Sequence, residues 1–150
     1  MLDALLKELE GVRKRRSSDY VREFEELLAR IAGLQDPKSI PALLAFFEDD
    51  AEYDELMFSI VHTIEAFDDS TYVDQVIASL PRLGRSAPRW AGILHKRVLN
   101  SPETLAAYTR RAEKASPVER AAIGEILTDI AKTTPAFKDR VEVLLARIPA

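Results

Sequence analysis

The sequence predicts an all-α chain built as an α-solenoid of stacked helical hairpins, and three observations carry that expectation. The first is a repeat of 33 residues: Phe24, Met57, Trp90 and Ile123 fall in one column, and Leu27, Ile60, Ile93 and Ile126 in a second. Leu28, Val61, Leu94 and Leu127 make a third column, and Ile31, Ile64, Arg97 and Ile130 a fourth. Within each unit the columns are spaced i, i+3, i+4, i+7, which is one face of a helix. Fifteen of the sixteen slots are apolar in a chain that is 47% apolar. That is a coincidence of about one in ten thousand before allowing for the search over periods and registers. The second observation is that helix starts are legible while strand signals are missing: no Asn-Gly or Asp-Gly turn separates alternating runs, and only five glycines occur. The third is size and composition. A chain of 150 residues without cysteine can bury about two thirds of its unfolded surface and needs no disulfide or metal to hold it. Two-helix units cannot bury a core alone and must stack. The expected architecture is therefore a HEAT-like right-handed α-solenoid of about four helical-hairpin repeats with a C-terminal capping helix, a single domain over residues 1–150.

In chain order, helices are expected at Leu2 to Lys14, Asp19 to Ala32, Pro37 to Phe47, Tyr53 to Phe67 and Thr71 to Leu83, then at Ala87 to Leu99, Pro102 to Ala115, Pro117 to Lys132 and Pro135 to Ile148. The four columns belong to the second helix of each unit. Asp36 before Pro37, Ser101 before Pro102 and Ser116 before Pro117 place a capping oxygen ahead of a proline whose missing N–H costs nothing at the first helical position. Ser116 with Glu119 also fits a capping box. The first helices repeat more weakly: Ile40, Leu43, Leu44 and Phe47 map onto Val73, Val76, Ile77 and Leu80. One unit later, Ala106, Thr109, Arg110 and Glu113 stand where apolar residues are due, so that helix must shift register to Leu105, Tyr108 and Ala112. Phe137, Val141, Leu144, Leu145 and Ile148 make the last helix a lid on the stack.

Charge is segregated along the chain. Glu48 to Ser79 holds ten acids (Glu48, Asp49, Asp50, Glu52, Asp54, Glu55, Glu65, Asp68, Asp69 and Asp74) and no lysine or arginine. Leu80 to Lys114 then holds eight bases against Glu103 and Glu113. An acidic surface of that density would speed association with a basic partner and repel nucleic acid, although Glu48 to Glu55 reads equally as a solvated loop. As the helix Tyr53 to Phe67 is about 21 Å long, Asp49 and Asp50 lie at one edge of the layer and Asp68 and Asp69 at the other. They cannot form one compact site.

At 100° per residue, Glu55, Ser59, His62 and Ala66 point away from the buried stripe, and Pro88, Gly92, His95 and Leu99 are their equivalents one unit on. Both histidines, His62 and His95, therefore share an expected exposed column, which in a solenoid lines the concave surface. Two histidines without a cysteine do not complete a metal ligand set, so no metal is expected. Arg97 is the single charge in the buried columns. A buried ion pair with Glu65 on the neighbouring inner helix, setting the register of the stack, is favoured over direct contact with a ligand. Trp90 shares its column with Phe24 and Met57 and is read as core. No convergent nucleophile, base or phosphate-binding loop is evident, so neither catalysis nor a cofactor is expected. The N-terminus lacks a small-residue cleavage site, and no apolar run approaches the length of a spanning helix. A cytoplasmic location, no contact with membrane or nucleic acid, and a monomer as the favoured state complete the reading.

The stretches Glu55-Leu-Met-Phe-Ser-Ile-Val-His-Thr-Ile-Glu-Ala-Phe-Asp-Asp69 and Ala87-Pro-Arg-Trp-Ala-Gly-Ile-Leu-His-Lys-Arg-Val-Leu-Asn-Ser101 resemble a family of small bacterial immunity proteins. These accompany polymorphic toxins, including contact-dependent inhibition and Rhs-type systems. The resemblance covers roughly Asp19 to Asn100. Val98 departs from it trivially, standing where isoleucine is expected. It implies a non-enzymatic antidote that binds the C-terminal domain of a cognate toxin, with a basic nuclease as the class an acidic surface would suit. The residues expected to meet that partner are Glu48, Asp49, Asp50, Glu52, Asp54, Glu55, Ser59, His62, Asp68, Asp69 and His95; Glu65, Trp90 and Arg97 are expected to be structural. Two other readings stay open. One is a helical-repeat adaptor of an unrelated pathway, separated from the first by whether a large toxin frame lies upstream. The other is a helical-repeat enzyme on DNA such as a glycosylase, for which binding of duplex DNA would speak.

Overall fold

The structure, a computed structural model, describes residues 1–149. Its helices are α1 (Leu2–Arg15), α2 (Tyr20–Leu34), α3 (Ser39–Leu44), α4 (Asp54–Glu65), α5 (Asp69–Ser86), α6 (Pro88–Leu99), α7 (Pro102–Ala112), α8 (Pro117–Thr133) and α9 (Lys138–Ala146). No strand occurs among the described residues. The local starts follow from side-chain chemistry. Asp68 accepts the Thr71 N–H at 3.0 Å and so opens α5. Ser116 and Glu119 close a reciprocal box at the start of α8, with Glu119 N to Ser116 Oγ at 3.2 Å and Ser116 N to Glu119 Oε1 at 3.0 Å.

Three expectations about helix starts are corrected, two of them concerning caps. Asp36 does not cap a helix at Pro37: its carboxylate accepts the Lys38 N–H at 3.0 Å, a side-chain turn that delays α3 until Ser39. Ser101 does not accept a helix N–H either; its hydroxyl donates to Thr104 Oγ1 at 3.0 Å. The last segment begins as a 3₁₀ turn, Pro135–Phe137, before α9 proper. Both α1 and α2 end in residues with left-handed backbone, Arg16 (φ 48°) and Gln35 (φ 49°), each returning its N–H to the last turn.

One hydrophobic cluster runs from Leu5 to Leu144. Helix α5 lies at its centre, packed against α3, α4, α6, α7 and α8, while α2 lies on α4, α8 on α6, and α9 on α8. In α2, α4 and α8 every column residue is buried, from Phe24 and Ile31 through Met57 and Ile64 to Ile123 and Ile130. In α7 the shifted register is the buried one: Tyr108 and Ala112 are fully enclosed, whereas Ala106 and Arg110 are exposed. In α9, Val141 and Leu144 are buried with the preceding Phe137.

Helix α6 departs from the columns. Its buried side chains are Trp90, Ala91, Leu94, His95, Val98 and Leu99, a stripe turned by roughly 100° from that of the other three. The physical reason is Arg97. Left in the fourth column it would place a guanidinium among buried apolar side chains, at a cost of several kcal/mol. Turning the helix moves it outward, and its side chain is 40% exposed. The same turn carries His95 inward, to 1% exposure. Two expectations are thereby corrected: Arg97 is not buried, and His95 is not on the surface.

Candidate partner-binding surface

Most of the acids that the sequence offers to a partner are engaged within the molecule. Glu48 accepts from Arg13 Nη1 at 2.9 Å, with Arg16 at 3.9 Å from its other oxygen, and Glu52 lies 3.6 Å from Arg16. Asp49 does what a capping residue does, but from a distant loop: its oxygens accept the N–H groups of Arg89 (2.9 Å) and Trp90 (3.2 Å), the free donors at the start of α6. Asp54 meets Arg89 in a two-pronged pair at 2.6 and 3.3 Å, and this hydrogen bonding holds its carboxyl below the usual range. Asp68 is held low mainly by the Thr71 N–H, and Asp69 accepts the Thr104 hydroxyl at 2.8 Å. Asp74 pairs with Arg111 at 2.7 Å. Among the described residues, the carboxylates of Asp50 and Glu55 alone of these acids have neither a hydrogen bond nor an ion pair.

The acidic segment Glu48 to Ser79 is thus faced by bases of the segment that follows it, together with Arg13 and Arg16 from α1. Arg89, Arg97 and Arg111 supply three of the eight bases counted between Leu80 and Lys114. The separations carry a signal that a reading of local charge runs misses. Most of the long-range side-chain contacts join residues 32 to 41 apart, among them Glu65–Arg97 (32), Ser59–Glu25 (34), Asp69–Thr104 (35) and Asp49–Trp90 (41). Most of these separations exceed the 33 residues of the apolar columns, so stepping the acids by that period misses Arg13, Arg89, Thr104 and Arg111, which lie 35 to 40 positions from their partners.

The exposed face of α4 carries Glu55, His62 and Ala66, with Ser59 half-covered because its hydroxyl donates to Glu25 Oε1 at 2.6 Å. His95 is no part of it. Its Nδ1 donates to the Ala91 carbonyl at 2.7 Å, which leaves Nε2 to accept the Tyr108 hydroxyl at 2.7 Å. Burial pushes its pKa down to about 4. Trp90 is enclosed in the core, stacked on Phe47 (5.5 Å between centroids) with Phe58 edge-on at 4.9 Å.

Glu65 and Arg97 are brought together: Nε and Nη2 of Arg97 each donate at 2.7 Å to one carboxylate oxygen. They form one wall of a polar cleft of about 410 Å³ where the end of α4 meets the starts of α5 and α7. A second, apolar cleft of about 720 Å³ separates the end of α5 from α8, between Pro81, Gly84 and Pro88 on one side and Val118, Ala122 and Ile126 on the other. Among the described residues no three His, Cys, Asp or Glu side chains lie close enough to hold a metal ion. No described helix is long and apolar enough to cross a membrane.

No curated protein and no solved structure matches the chain. A family profile does: that of Immunity protein 30 matches residues 12–108, which takes in α2 to α6, the exposed face of α4 and every residue of the polar cleft. On that match, spanning more than half of the sequence, the chain belongs to the Immunity protein 30 family.

Proposed function

We propose that this protein binds and neutralises a cognate polymorphic toxin domain inside the producing cell, acting by contact and not by catalysis. The family match over residues 12–108 is the observation that carries the reading. The contact surface we assign is the exposed face of α4 with the loop before it, because Asp50, Glu55 and His62 are exposed there and uncommitted to neighbours. With Glu48, Asp49 and Asp54 already engaged, the acidity offered to a basic domain such as a nuclease is smaller than the bare sequence suggests.

The architecture behind this surface is a right-handed stack of helical hairpins of the HEAT-like type. What supports it is that α3, α5 and α7 adjoin along one side and α2 with α4, and α6 with α8, along the other. Contacts one unit apart, from Glu65–Arg97 to Asp49–Trp90, tie the layers. Such a stack presents one helix from each layer to a partner. Contact-dependent and Rhs-type systems are the setting proposed, with the protein a cytoplasmic monomer.

The test is rescue. Expression of the toxin domain encoded beside this gene should arrest growth, and co-expression of the chain should restore it, with the two proteins recovered as one complex. Arrest unchanged by the chain, with both proteins soluble, overturns the reading.

A further inference from the structure

The polar cleft has features that the packing of the fold does not use. Its walls are Glu65 at the end of α4, Asp69 and Tyr72 in the first turn of α5, Arg97 on α6, and Ser101 with Thr104 at the start of α7. The hydroxyls are ordered in a chain: Ser101 donates to Thr104 at 3.0 Å, and Thr104 donates to Asp69 Oδ1 at 2.8 Å. Oδ2 of Asp69 accepts nothing from the described residues. Tyr72 is 3% exposed and lines the cleft, yet its hydroxyl finds no hydrogen-bond partner among the described residues. A buried hydroxyl left unpaired is destabilising, and a group reaching it through the cleft would recover that cost; Ser39 Oγ and Trp90 Nε1 are likewise unpaired but line no polar cleft.

Charge and donor count identify the kind of group. Arg97 is matched by Glu65 through both of its engaged nitrogens, which leaves the charge of Asp69 unbalanced within the cleft. The free acceptor positions are Oδ2 of Asp69 and the Tyr72 phenol oxygen; the unengaged donors on the lining are Nη1 of Arg97 and the amide nitrogen of Asn100. The phenol stays neutral because burial, reinforced by Glu65, raises its pKa. An anion entering here would face Asp69 and Glu65, and an apolar side chain would leave both free oxygens unpaired. A cation with several N–H donors satisfies them. The cleft also adjoins the surface already assigned, since Glu65 lies three residues beyond His62 on α4.

We propose that this cleft is the socket for a cationic side chain, an arginine or a lysine, presented by the toxin domain, with Asp69 and Tyr72 as its acceptors. That the side chain comes from a toxin rests on the immunity reading; that the cleft takes a cation does not. Tyr72→Phe removes one oxygen and no packing atoms, so the free protein should melt at the same temperature or higher while affinity for the co-encoded toxin domain falls about tenfold. Asp69→Asn keeps an acceptor for Thr104 and should weaken the complex by a similar factor, less so at high salt. Both variants binding as tightly as the unaltered chain, with folding intact, overturns the proposal. Should the unaltered chain not bind that toxin domain, the immunity reading fails and the cleft is judged alone. Ethylguanidinium and butylammonium are then titrated into the full chain while the Tyr72 and Thr104 NMR signals are followed. Saturable shifts abolished by Asp69→Asn sustain the cleft, and the stronger of the two ions names the side chain. Shifts that are absent, or unaffected by Asp69→Asn, refute it.

Discussion

His95 sits between two groups that fix its single proton. The Ala91 carbonyl can only accept, so the ring is protonated on Nδ1 and takes the Tyr108 hydroxyl on Nε2. With its pKa lowered from 6.5 to about 4 by burial, the folded chain refuses a proton that the unfolded chain binds. The stability that the neutral ring confers is therefore complete above about pH 6.5, declines below it, and is lost as pH falls through about 4. The span corresponds to about 3 kcal/mol. Asp54, Asp68 and Glu119 act lower on the scale, because Arg89, the Thr71 N–H and Arg111 respectively hold their carboxyls below the ordinary value. His95→Gln is expected to cost about 1–3 kcal/mol at pH 7.5, by leaving Tyr108 poorly paired. It should also flatten the loss of stability between pH 6.5 and 4.5, read from urea denaturation. An unchanged slope would place the acid sensitivity on other groups.

Helix α6 shows what turns an element away from the face that its apolar pattern predicts. Its residue at the helix start, Ala87, has no capping side chain, and Pro88 has no N–H. The donors of Arg89 and Trp90 are instead met by Asp49, from the loop before α4. Asp49→Ala should destabilise the protein by about 1–2 kcal/mol, as the loss of a cap does, although the residue lies 40 positions from the helix that it caps. Thermal unfolding of the variant checks this; a change within error would deny Asp49 that role. The columns made α2, α4 and α8 legible, because there burial and the 3.6-residue period agree at all four positions. They misplaced α6 because a period records where an apolar residue is due, not how far a helix turns to keep one charge out of the core. Arg97 carried that information, and reading it as a buried exception hid the outward turn and the inward path of His95. The shifted face of α7, with Tyr108 and Ala112 inside, was legible because the expected positions held Arg110 and Glu113. The polar cleft was not: Tyr72 looks like any apolar residue of a first helix turn until its hydroxyl is seen to be unpaired.

Across the whole molecule, much of the acidic stretch is taken up by arginines of α1, α6 and α7, so net charge is a poor guide to the surface left for a partner. Asp50 and Glu55 carry what remains beside His62. Replacing both by lysine should slow association with the toxin domain several-fold at low ionic strength and leave dissociation nearly unchanged, with the difference fading as salt rises. Stopped-flow kinetics at two salt concentrations decides it, and equal association rates would remove this edge of α4 from the interface. The position of α5, touched by five other helices, bears on how the chain comes apart. Its amides have neighbours on every side to lose before water reaches them, whereas α1 and α9 each lean chiefly on one helix, α2 and α8 respectively. Deuterium should therefore enter from both ends and reach Val73 to Leu80 last, the opening spreading inward as fraying ends do and not as a single collective event.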